Sequence, residues 1–191
     1  MTRVFEGKIN VHYSQAYVLV SEIENLDFYD AFRGQANGLC GAAVRGALLL
    51  VTGLHTGQVG FTVDVLDAPP PLDDTWEEIV EVSFFVGYID PDPIEDTDVE
   101  FMDDPDVIVA LMEWGPGALY ELPLPDGNYR VRYCARGMQL GRDRDTLLSG
   151  EDLIDFYSLT FWPAKPEPDC IIKQTSEIAA SWHKHAQSLQ S

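Results

Sequence analysis

The residues with the most evident chemical capacity lie in one run, YIDPDPIEDTDVEFMDDPD, positions 88 to 106. Asp90, Asp92, Glu95, Asp96, Asp98, Glu100, Asp103, Asp104 and Asp106 all fall within it. Oxygen-rich loops bind calcium when their spacing is right, but this run lacks the sixth-position glycine and twelfth-position glutamate of an EF-hand loop. A charge run is most often a solvated loop. The functional alternative is a recognition surface. Carboxylates spaced along a loop imitate phosphates, and a nuclease lines its substrate cleft with Lys and Arg that neutralise phosphate. An acidic protein can fill such a cleft, and the opposite charges speed their encounter. The residues expected to bind the partner are Asp90, Asp92, Glu95, Asp96, Asp98, Glu100, Asp103 and Asp104.

Other candidates are weaker. Cys40 and His55 share the stretch NGLCGAAVRGALLLVTGLHTG and have the types of a nucleophile and its base. No motif surrounds them, and cysteine among small residues usually serves packing, so both are expected to be structural. The glycines there lack the GK[ST] of a phosphate loop. His183 and His185 are two apart on an expected helix, do not share a face, and so do not clamp a metal; a solvated helix end is expected. Trp76, Trp114 and Trp162 suggest a second function, a sugar-binding or small-ligand platform, although tryptophans at strand ends are more often core or rim. Carboxylate pairs abound, as glycosidase chemistry requires, but nothing selects a pair. No cofactor and no enzymatic activity are expected.

Charge narrows the partner. The 191 residues carry 32 acidic and 12 basic side chains, a net charge of −20. Between Gly46 and Tyr129 there is no Lys or Arg, against nineteen Asp and Glu. Such a chain repels nucleic acid and anionic lipid and attracts a basic protein. Arg130, Arg132 and Arg136 instead stand close together, and they can neutralise Asp64, Glu77 or Glu81 across a sheet. Three widely spaced cysteines make neither a disulfide framework nor a zinc site. MTRVFEGK has no signal-like apolar region and Leu39 to Leu54 is too short to span a bilayer, so a cytoplasmic protein is expected.

The elements that must position these residues show a period of two. KINVHYSQAYVLV reads as one strand at about 8 to 20. GALLLVTG reads as a strand buried on both faces, joined through the hairpin loop GLHTG to QVGFTVDVLD. APPPLDD ends that strand. WEEIVEVSFFVG buries Val80, Val82, Phe84 and Val86 and exposes Glu77 and Glu81. NYRVRYCARG points Tyr129, Val131, Tyr133 and Ala135 in, and Arg130, Arg132, Cys134 and Arg136 out. DFYSLTFW is the last strand, and 140 to 153 is a loop. QTSEIAASWHKHAQSLQ is a helix capped by Thr175 or Ser176, with a stripe of Ile178, Trp182, Ala186 and Leu189. The expected fold is all-β: a sandwich of antiparallel strands over 1–163, a Pro-rich linker at 164–172 and an appended C-terminal helix at 173–191.

KINVHYSQAYVLV and LPDGNYRVR resemble the opening strand and the "PxGxY" strand of the competence-operon nuclease inhibitor family (competence protein J), small acidic β proteins that restrain a DNA nuclease. GQANGLCGAAVRGALLLVTGLHTGQVGFTV and QTSEIAASWHKHA look like uncharacterised bacterial proteins. The resemblance covers two short strands, and this chain is longer by the acidic run and the terminal helix. It implies a β-sandwich and an inhibitor or immunity role; no site residues carry over. The expected function is therefore an acidic, non-enzymatic inhibitor of a basic protein, plausibly a nuclease, acting through carboxylates of 64 to 106.

Overall fold

The computed structural model describes residues 2–20, 26–87, 107–115 and 117–189. They form a two-sheet sandwich with a C-terminal helix, as expected. A six-stranded sheet runs in the order β1 (Thr2–Val11), β5 (Gly57–Val65), β10 (Phe156–Pro163), β9 (Gly127–Arg136), β6 (Glu78–Val86) and β11 (Cys170–Lys173). A five-stranded sheet runs β3 (Cys40–Gly41), β4 (Ala47–Val51), β2 (Gln15–Val20), β7 (Val109–Glu113) and β8 (Leu119–Leu122). Every pairing between these strands is antiparallel except β5 with β10.

Alternating apolar side chains of the two sheets meet in one core. Val59, Phe61 and Val63 face inward from β5, Tyr157, Leu159 and Phe161 from β10, and Tyr129, Val131, Tyr133 and Ala135 from β9. Ala16, Val18 and Val20 oppose them from β2. All five residues of β4 are buried, as its unbroken apolar run requires. Tyr129 also donates from its hydroxyl to the Pro125 carbonyl at 2.6 Å, which ties the PDGNY turn to the strand it opens.

Four connections differ from expectation. Residues 8 to 20 are two strands in different sheets, not one. The chain turns at Tyr13 and Ser14, both left-handed (φ 53° and 58°), and alternation continues through the turn so the break leaves no mark in the pattern. The GLHTG link is not a hairpin within a sheet. It is an arch from β4 in one sheet to β5 in the other, held by the amides of His55 and Thr56 donating to Asp145 O. Glycine-rich turn chemistry is the same for both, so local sequence does not distinguish them. The 164–172 linker ends in β11, which closes one edge of the six-stranded sheet and follows the strand expected to be last. A first short helix, α1 (Phe28–Phe32), lies between β2 and β3, and residues 140 to 153, expected as a loop, begin in a second, α2 (Met138–Arg144).

The C-terminal helix α3 (Glu177–Ser188) is capped by Ser176, whose hydroxyl accepts from Ala179 N. Its most buried residues are Ala179, His183 and Ala186, with Ile178, Trp182 and Leu189 half-buried beside them. The buried face is thus turned by about one residue from the apolar stripe, and it contains a histidine. No helix among the described residues is long and apolar enough to cross a membrane.

Candidate functional site

A concavity of about 610 Å³ lies on the outer face of the six-stranded sheet. Strand register explains it. Three rows of side chains cross the sheet. The first is Arg136, Phe156, Gly60 and Lys8; the second is Ile79, Cys134, Ser158, Thr62 and Glu6; the third is Glu81, Arg132, Thr160, Asp64 and Arg3. Cys134, Ser158 and Thr62 are short, so the middle of the second row is a trough between two rows of longer side chains. Gly60 deepens its near bank. A Cβ there would stand 2.5 Å from the Phe156 ring, so only glycine lets that ring lie on β5.

The far side is walled by residues 66–77. Arg132 is the anchor. Its Nη1 donates to Pro70 O at 2.9 Å and Pro71 O at 3.2 Å. Its Nε and Nη2 reach Glu81 Oε1 at 2.9 and 2.8 Å. Lys173 holds the same loop from outside through Asp74 O and Trp76 O. Asp73 accepts from the Thr75 hydroxyl and amide, which, aided by the charges of Arg136 and Lys173, hold its carboxyl below the ordinary value. Carbonyls of the proline tract thereby serve as acceptors for a buried guanidinium.

The cationic groups of this face differ in how far they are committed. Arg3 bonds Asp64 and Glu6. Arg130, next to the cleft on the same strand, is covered by the chain around 167 and bonds Glu81, Ser83, Glu167 O and Cys170 Sγ. Arg136 makes no ion pair and no guanidinium hydrogen bond among the described residues. It is exposed at the mouth of the cleft, held over the Trp76 ring at 5.6 Å and the Phe156 ring at 5.2 Å. Cation–π contact of this kind fixes a guanidinium without using its N–H donors. The neighbouring Cys134 thiol is pushed up to about 12, chiefly by burial, so it is a neutral packing group and not a thiolate nucleophile.

The expected partner-binding residues, Asp90, Asp92, Glu95, Asp96, Asp98, Glu100, Asp103 and Asp104, lie outside the described residues. Five of the acids that flank them are engaged inside the fold. Asp64 pairs with Arg3, and Glu81 with Arg130 and Arg132. Glu77 accepts from Gly137 N at 2.8 Å. Glu78, fully buried, accepts from the amides of Thr175 and Ser176 and the Thr175 hydroxyl, and so fixes the start of α3. Glu113 accepts from Asn10 N, Asn10 Nδ2 and Ala118 N, joining β1 to β7. Within 64–81, Asp64, Glu77, Glu78 and Glu81 thus serve the architecture, whereas Asp67, Asp73 and Asp74 are exposed on the loop that walls the cleft.

Cys40 and His55 are not joined by a hydrogen bond. Cys40 is buried beside Leu50, and burial pushes its thiol up. His55 and His12 each approach Thr56 Oγ1 through Nδ1, at 2.8 and 2.7 Å, in an aromatic cluster with Tyr13 and Trp114. His183 is buried, not solvated: its Nδ1 accepts from Gly38 N at 2.9 Å, Nε2 has no partner, and burial lowers its pKa to about 4. Helix and turn meet there because a Cβ on Gly38 would lie 2.0 Å from Trp182 O. The three tryptophans do not form one platform. Trp76 walls the cleft, Trp114 stands in the His12 cluster and Trp162 is buried, 5.6 Å from the Arg132 guanidinium carbon. Among the described residues no group of three His, Cys, Asp or Glu could hold a metal ion.

Sequence reasoning placed Arg136 on the outer face but missed its role, which depends on Trp76 and Phe156, 60 and 20 positions away. The one available signal was the alternation of β9, which puts Arg130, Arg132 and Arg136 on one side.

No family model matches the chain, and no curated protein matches it. A solved structure titled "Crocagin biosynthetic gene J" superposes with a TM-score of 0.48 and 12% identity, over 86% of this chain and 100% of that chain. A likeness that slight does not bear on function.

Proposed function

We propose that this protein is a non-enzymatic β-sandwich binding module that holds a small organic molecule in the cleft of the six-stranded sheet. The observation that supports this reading is a preformed trough of about 610 Å³ with Trp76, Phe156 and Leu153 on its walls and a fixed, uncommitted guanidinium at its mouth. Small-molecule sites are concavities of roughly 300–1,000 Å³ with mostly apolar walls and a few placed polar groups. Thr62→Phe fills the trough from its centre without touching the core face of β5. A fragment screen followed by amide chemical shifts should place ligands against Phe156, Trp76 and Ser158, and Thr62→Phe should remove those shifts. Shifts confined to other faces, or unchanged in Thr62→Phe, would sink the reading.

A second reading keeps the acidic run 88–106 as a docking surface for a basic protein such as a nuclease, in keeping with the resemblance to the competence-operon inhibitors. Its support is the absence of Lys and Arg between Gly46 and Tyr129. The test is inhibition of purified DNases by the chain, compared with a variant carrying Asn at Asp96, Asp98, Asp103 and Asp104. Inhibition that is unaffected by those changes, or absent throughout, removes this reading. Cytoplasmic residence is part of both proposals.

A further inference from the structure

We infer that the cleft's ligand is a small monocarboxylic acid with a flat apolar body, its carboxylate seated on Arg136 and its body lying in the trough beside Phe156. This rests on the cleft being a binding site. The charge accounting of the cleft leads to it. Arg3 and Arg132 have their donors engaged by carboxylates and carbonyls. Arg136 has donors directed to no acceptor among the described residues, and its rings hold it at the trough's edge. A planar guanidinium offers paired N–H groups that match the two oxygens of a carboxylate.

Singly charged carboxylate suits the site better than phosphate. Of the three arginines that line the cleft, Arg136 alone has no ion pair among the described residues, and Glu6, Asp64 and Asp73 line the same cleft. A net charge of −20 repels a dianion more than a monoanion. The remainder of the trough takes no second charge. Cys134, Ser158 and Thr62 are short and neutral, and the Phe156 ring and Leu153 offer apolar surface. A flat body fits a shallow trough whose floor is one row of short side chains between strands.

The experiment titrates benzoate, phenylacetate, 3-phenylpropionate and indole-3-acetate, each beside its neutral amide, into the protein, Arg136→Gln, Arg136→Lys and Thr62→Phe. Binding is read from amide shifts and from the Arg136 Nε–H resonance, after confirming that each variant keeps the wild-type melting temperature. At least one acid should bind about ten-fold more tightly than its amide, a gap typical of a charge-assisted hydrogen bond. Arg136→Gln should abolish that gap, Arg136→Lys should keep part of it, and Thr62→Phe should block acid and amide alike. Acid and amide binding equally, both blocked by Thr62→Phe, overturns the carboxylate assignment and leaves the cleft as a neutral-ligand site. No shifts in the cleft with any of the eight compounds overturns both the assignment and the cleft reading.

Discussion

Arg130 and Arg132 stand on the same face of β9 as Arg136, and their surroundings could hardly be less alike. The first two are buried, and each has carboxylate and carbonyl acceptors supplied by segments far away in sequence. Arg136 is exposed and has two aromatic rings and no acceptor among the described residues. The closed end of the strand uses its cations to hold loops 66–77 and 164–170 against the sheet. The open end leaves one guanidinium without an ion pair or hydrogen bond among the described residues. Residue type and alternation are identical along the strand, so the cover laid over each position decides whether its guanidinium is engaged within the fold or left exposed. The same contrast extends to the buried Glu78, Glu113 and His183, which are closed in this sense, and to Trp76 and Phe156, which are open.

The largest effect belongs to the closed end. Arg132→Ala takes the anchor from the 66–77 loop and leaves Glu81 to Arg130 alone, and should cost about 3 kcal/mol in denaturant unfolding. Arg132→Met keeps the packing of the stem and leaves the Arg130–Glu81 pair in place, so it should recover part of that loss. A Met variant as unstable as the Ala variant would mean that the polar loop anchor, not packing of the stem, dominates.

His183 gives the closed region a pH signature. Its folded pKa is about 4, against an ordinary value of 6.5, because burial disfavours the cation. Between those values the unfolded chain binds the proton and the folded one does not, so the His183 contribution to stability falls as pH drops from 6.5 to 4 and is flat outside that window. The loss amounts to up to about 3 kcal/mol. Asp155, raised by burial, acts in the opposite sense at the acid end, where its protonation favours the fold. His183→Asn retains an acceptor for Gly38 N–H without titrating, so its melting temperature should fall less than the wild type's between pH 6.5 and 4.5. Equal falls would place the acid sensitivity elsewhere.

Gly60→Ala tests the open region. The added Cβ meets the Phe156 ring at 2.5 Å, so the ring must move off β5. The expected cost is about 1–2 kcal/mol, as for other overpacked contacts, with a shifted Phe156 resonance and weaker ligand binding. The smallest effect is that of Arg136→Gln, within about 0.5 kcal/mol of wild type, as for surface changes that break no pair. A loss near that of Arg132→Ala would show that the two ends of β9 are not different in kind.

Much of the architecture was legible locally. Alternation located β5, β6, β9 and β10 and their inner faces, because burial on one side of a pleated strand imposes a period of two. The proline tract marked the end of β5, and Ser176 marked the start of α3 through ordinary capping chemistry. His183 was misread because a histidine without a visible partner looks solvent-facing; its partner is the amide of Gly38, 145 residues earlier. The expected neutralisation of Glu81 by Arg130 and Arg132 holds, whereas Asp64 takes Arg3 and Glu77 takes the Gly137 amide, partners that no local pattern names.

Local patterning is enough to specify a β-sandwich with a capped terminal helix and to put three arginines on one face of a strand. Periodicity, turn residues and caps act over a few neighbouring positions, and each carries its physical cause with it. Which sheet each strand joins, the crossings between sheets at Tyr13 and at His55, and the enclosure of Arg132 beside an open Arg136 are set by long-range packing. Those outcomes depend on groups brought together from dozens of positions apart, where hydrogen-bond satisfaction and burial are settled by packing, and no local pattern records them.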